Sequence, residues 1–179
     1  MSREKVSVST QDLALAGLMV AVGLVFHFFP PILGGMKPDF ALIMLTLFAL
    51  LRRDRKITFA TGIATGIVTA LTTSFPGGQI PNIIDKLVTV LALMGLTMLP
   101  AGYVNTIFTS IIATLISGTV FLTSALLIVG LPVPFIGLFT SVVLPATAIN
   151  TVVVVLLYPL ALKLTSRMPA VGTKAKTQY

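Results

Sequence analysis

Residues 87–162 contain no Asp, Glu, Lys or Arg, and an uncharged run of 76 residues is not how a water-soluble domain is written. A charged side chain at the centre of a bilayer costs roughly 2.5–3.5 kcal/mol on insertion scales, so such runs mark lipid as the solvent. One helical crossing of the hydrocarbon core takes about 20 residues. The run therefore holds three crossings, and turn signals fall between them at Pro100-Ala101-Gly102 and Gly130-Leu131-Pro132-Val133-Pro134.

The rest of the chain follows the same rule. Only 9% of its 179 residues are charged, against about 25% in soluble domains, and mean hydropathy is +1.05. There is no cysteine, which excludes disulfides and thiol chemistry. Arg3, Glu4, Lys5 and Asp12 precede an apolar stretch of 24 residues, 13–36, which is longer than a signal h-region and has no cleavage pattern.

Hydropathy and breakers predict an all-α bundle of six transmembrane helices, at about 12–29, 39–51, 57–75, 85–99, 103–129 and 138–162. The membrane domain spans 12–165, flanked by tails at 1–11 and 166–179. Ten of the twelve basic residues (Arg3, Lys5, Arg52, Arg53, Arg55, Lys56, Lys163, Arg167, Lys174 and Lys176) fall on one side of this topology. The positive-inside rule makes that side cytoplasmic and places both termini there. The net charge of +7 is thus a topology signal and not a nucleic-acid surface.

Two helices are short. The second has 12 uncharged residues, about 18 Å of helix, and the fourth has 13 before Pro100. If both start at the cytoplasmic face, the loops before them sit below the outer surface and wall an outward-facing pit. The alternative is short helices that thin the bilayer locally.

Nothing in the chain reads as a catalyst. Walker A and HExxH sequences are missing, as is any His or carboxylate cluster with metal-ligand spacing. No cofactor or metal is expected. The outer loops carry the chemistry. Lys37 and Asp39 form one pair of opposite charges, and Asp85 and Lys86 form another, beside Gln79 and Asn82. Their charges sum to zero, which suits a zwitterion: a lysine for a carboxylate, an aspartate for an ammonium. The plainer role is that Asp39 and Asp85 cap helices two and four while the lysines snorkel. Asn150 lies at lipid depth in helix six, either bridging helices or lining a cavity. His27 among Phe26, Phe28 and Phe29, and Phe135 in the apolar third loop, are the contacts expected for a ring. Ala14, Gly17 and Ala21 form a small-residue face on helix one, open to a neighbouring helix or a separate subunit.

Four segments carry a family resemblance: Gly34-Gly35-Met36-Lys37-Pro38-Asp39, residues 75–86 (FPGGQIPNIIDK), Val129-Gly130-Leu131-Pro132, and residues 142–151 with Pro145 and Asn150. Across about 12–165 the chain resembles the bacterial tryptophan transport protein family, itself similar to the substrate-capture (S) components of energy-coupling factor transporters. The resemblance implies a six-helix S-component bundle in the bacterial cell membrane that binds L-tryptophan from outside. It implies as partners a membrane scaffold subunit and two cytoplasmic ATPase subunits. S components often carry an alanine-rich motif on helix one, which Ala14-Gly17-Ala21 matches in part. The chain itself contains no tryptophan, which fits a protein needed when that amino acid is scarce.

The competing class is a stand-alone carrier driven by protons or sodium, or an S component for another small molecule. Against the carrier, every Asp and Glu is expected at a helix end or tail, and no inverted repeat or paired broken helices are evident.

Overall fold

The computed structural model describes residues 9–29 and 38–165. Among them it has six helices and no strand: α1 (Thr10–Phe28), α2 (Phe40–Arg52), α3 (Arg55–Leu71), α4 (Gln79–Leu96), α5 (Tyr103–Ile128) and α6 (Phe135–Thr165). α1, α4, α5 and α6 are each long and apolar enough to cross a membrane. The chain is a multi-pass membrane protein.

α2 is the hub. It is apolar all round, and every residue from Ala41 to Leu50 is buried. It packs against all five other helices. One apolar cluster joins Ile43, Met44, Leu47 and Leu50 of α2 to Val154 and Tyr158 of α6. A second joins Leu45 and Ala49 to Val90 and Leu93 of α4 and Ala113 of α5. Its 13 residues make about 20 Å of helix, as short as the sequence predicts.

Helix four departs from expectation. It starts at Gln79, not near residue 85, so Gln79, Asn82, Asp85 and Lys86 are helical and not in a loop. Pro81 does not prevent this, because a first-turn N–H has no intrahelical partner to lose. The helix starts when the Asn82 amide donates to the Gly78 carbonyl at 2.9 Å. The wall expected from a short helix four is therefore not formed by a loop over 79–86, and the loop expected before helix two, at 30–37, lies outside the described residues.

Small residues set the close approaches. Gly62 and Gly66, one turn apart on α3, face Val90 and Lys86 of α4, and a Cβ on Gly66 would lie 3.2 Å from the Lys86 Cβ. Gly118 of α5 faces Val143 in the same way, within a π-helical turn of α6 (Phe139–Val143).

At the end of the bundle carrying residues 52–56, Asp54 caps α3 by accepting from the Lys56 and Ile57 amides. Arg53 sits in the left-handed region at φ 52° and its guanidinium donates to the carbonyls of Thr97 and Leu99. Asp12 pairs with Arg52 at 2.9 Å.

Candidate functional site

At the opposite end, the helices splay around a cavity of about 680 Å³. α1 contributes His27 and Phe28, α4 contributes Asn82, Asp85 and Lys86, and α6 contributes Leu138, Val142, Ala146 and Asn150. α5 adds Thr114, Ser117 and Phe121, the turn after α3 adds Thr73 and Phe75, and Asp39 with Leu42 stands at the head of α2. The shortness of α2 opens this space. Its N-terminus stops inside the bundle, and Asp39 caps it by accepting from the Leu42 amide at 3.0 Å.

The charged groups of the floor are gathered on one cation. Lys86 is 1% exposed. Its Nζ donates to Asp39 at 2.8 Å, to Asp85 at 2.7 Å and to the Ser117 hydroxyl at 3.3 Å. An ammonium has three donors, so these contacts use all of them. Asp85 also accepts from the Thr89 hydroxyl at 2.9 Å, one helical turn on. Burial of this kind is tolerated because each charge is paired and hydrogen-bonded. The two carboxylates differ in access: the Asp85 side chain is 2% exposed and that of Asp39 is 30% exposed.

Two amides complete the polar floor. Asn150 accepts from the Asp39 backbone amide at 3.1 Å, tying α6 to the head of α2. Its Nδ2 is buried and meets no acceptor among the described residues. Asn82 donates back to the Gly78 carbonyl at 2.8 Å. The walls are apolar and aromatic, with Phe75 and Phe121 edge to face at 5.5 Å.

Most of the predicted site residues therefore meet. His27, Asp39, Asn82, Asp85, Lys86 and Asn150 share the cavity. Gln79 is exposed and Phe135 stacks on Phe139, both outside the lining. Lys37 lies outside the described residues. Two local expectations are corrected. Asp85 caps nothing, because it sits in the second turn of α4, where Gly78 is the N-cap. Lys86 does not snorkel, because its ammonium is held inside by Asp39, Asp85 and Ser117. Ala14, Gly17 and Ala21 are exposed on the outside of α1, and a Cβ at Gly17 would meet nothing within 4 Å.

The profile of the family described as tryptophan transporter TrpP matches residues 9–166. The chain belongs to this family. Relatives named "probable tryptophan transport protein" occur in Clostridium acetobutylicum, at 48% identity over 80% of this chain and 86% of the relative. One in Bacillus subtilis is 46% identical over 84% of this chain and 90% of the relative. One in Clostridium perfringens is 39% identical over the same shares. No solved structure matches.

Several residues of the site are not among those the sequence singles out. Thr89 carries a local signal, four residues after a helical Asp85. Gly62 and Gly66 carry another, as a small-residue pair on α3 that admits α4. Ser117 and Phe121 carry none, and Phe75 has only its place at the start of the 75–86 segment. Their roles come from helix neighbours far away in the chain.

Proposed function

We propose that this chain is the substrate-binding membrane subunit for uptake of L-tryptophan, the S component of an energy-coupling factor transporter. It would work with a membrane scaffold subunit and two cytoplasmic ATPase subunits. The observation that carries the reading is the cavity: opposite charges and free amide capacity on its floor, with apolar and aromatic walls above. That pairing suits a zwitterion with an indole side chain. The relatives' names point to the same substrate. His27, Asp39, Asn82, Asp85, Lys86 and Asn150 form the polar lining, and Phe75 and Phe121 form the ring walls. The outward small-residue face at Ala14, Gly17 and Ala21 supports docking of a separate subunit, and the missing Walker A sequence supports an external source of energy.

One observation favours the stand-alone carrier. Asp85 is an intramembrane carboxylate, 2% exposed and within α4, where the charge pattern alone predicts a helix end. Uptake into proteoliposomes separates the two readings. An S component binds L-tryptophan alone but concentrates it only with ATP-hydrolysing partners. Concentrative uptake by this chain alone under a proton or sodium gradient establishes the carrier.

Orientation is tested by cysteines at Lys56 and Gln79, both exposed. With cytoplasmic termini, a membrane-impermeant thiol reagent labels Gln79→Cys in intact cells and Lys56→Cys only after lysis. The opposite pattern inverts the topology.

A further inference from the structure

We infer that the cavity recognises the ammonium of its ligand through Asp39 and the carboxylate through the Asn150 amide, with Lys86 as a positioning residue that meets neither. Arylalkyl amines without a carboxylate are then ligands, and aryl acids without an amine are not. The inference rests on the amino-acid reading above and assigns the two ends of the ligand, which that reading leaves open.

Donor counting carries the argument. A carboxylate needs donors, and the buried cation of the floor has none to spare. All three Lys86 donors are engaged, by Asp39, Asp85 and Ser117. Asp39 has the opposite surplus. Its oxygens accept one bond each, from the Leu42 amide and from Lys86, which leaves lone pairs on both. It is also the accessible carboxylate, 30% exposed against 2% for Asp85.

Asn150 supplies the complement. It is 1% exposed and lines the cavity, and its Nδ2 donates to nothing among the described residues. Its Oδ1 accepts from the Asp39 backbone amide at 3.1 Å. Asn150 and Asp39 are therefore held side by side, and both line the cavity. An α-amino acid carries its ammonium and its carboxylate on one carbon and can address both residues.

The test is a binding series on the purified chain with L-tryptophan, tryptamine and indole-3-propionate. The chain has no tryptophan, so indole emission reports the ligand alone. Tryptamine is expected within about tenfold of L-tryptophan, and indole-3-propionate at least about a hundredfold weaker. Asp39→Asn keeps the helix cap, since Asn caps as well as Asp. It is expected to weaken both amines about a hundredfold. Asn150→Asp keeps the acceptor for the Asp39 amide and removes the donor. It is expected to weaken L-tryptophan at least about tenfold and leave tryptamine unchanged or tighter. Binding of indole-3-propionate in preference to tryptamine overturns the inference while leaving the tryptophan reading intact. Tryptamine binding through Asp39 without any L-tryptophan binding overturns the Asn150 assignment and removes that substrate. Absence of binding by all three overturns both.

Discussion

The two ends of this bundle handle charge in different ways. At the basic end, Asp12 and Arg52 pair at 2.9 Å with their side chains 26% and 14% exposed, and Asp54 and Arg53 spend their polar atoms on backbone caps. Those charges are near water, and they tie turns to helix ends. At the cavity end, Lys86 and Asp85 meet with both side chains 2% exposed, Asp39 joins them from the cavity side at 30% exposed, and no other cation balances the second carboxylate among the described residues. An exposed pair contributes about 0–1 kcal/mol, whereas breaking a buried one costs about 3–5 kcal/mol. The contrast teaches that the first end is built for position and the second for chemistry.

The sharpest way to break the contrast is Lys86→Met, which keeps the stem against Gly66 and deletes the charge. Two carboxylates then face each other without a counter-ion. Thermal unfolding in detergent is expected to show a loss of about 3–5 kcal/mol, and an unchanged melting temperature would mean the triad is not buried as described. Gly66→Leu should come next, at about 1–3 kcal/mol, because the side chain must displace α4 from α3. It should also weaken ligand binding, since Lys86 and Asp85 move with α4. Asp85→Asn keeps the shape and removes one acceptor charge from Lys86, for about 1–3 kcal/mol. The smallest effect is expected at the other end. Arg52→Gln should cost less than about 1 kcal/mol. Added salt should shrink that difference further and leave the Lys86→Met difference almost unchanged, because Lys86 and Asp85, each 2% exposed, are screened far less than the Asp12–Arg52 pair. Equal salt sensitivity of the two variants would erase the distinction between the ends.

Much of this architecture is legible in the amino-acid sequence. The uncharged run, the breakers and the basic clusters specify the number and order of helices, because lipid and turn chemistry act on local sequence. The short α2 is legible for the same reason, and with it the opening above Asp39. The charged residues of the site are legible as residue types but not as an arrangement. Lys86 meets Asp39 across 47 residues and Ser117 across 31, and no local rule relates helices so far apart. The start of α4 is hidden because Gly77-Gly78 and Pro81 read as one loop, although a proline in a first turn is compatible with a helix. Gln79 and Phe135 neighbour the site in sequence but not in space. The observed helix phases turn Gln79 outward and place Phe135 on Phe139.

The central position of α2 also fixes when the site can come into being during synthesis. Its floor joins Asp39, made early, to Asn150, made 111 residues later. α1 to α5 can enter the membrane as the ribosome releases them, but the head of α2 lacks its last neighbour until α6 arrives. On the proposed reading, a nascent chain halted before α6 lacks the Asn150 side of the cavity. The Asn150 contact that completes the cavity floor forms only late, when the final helix closes on the first-formed half.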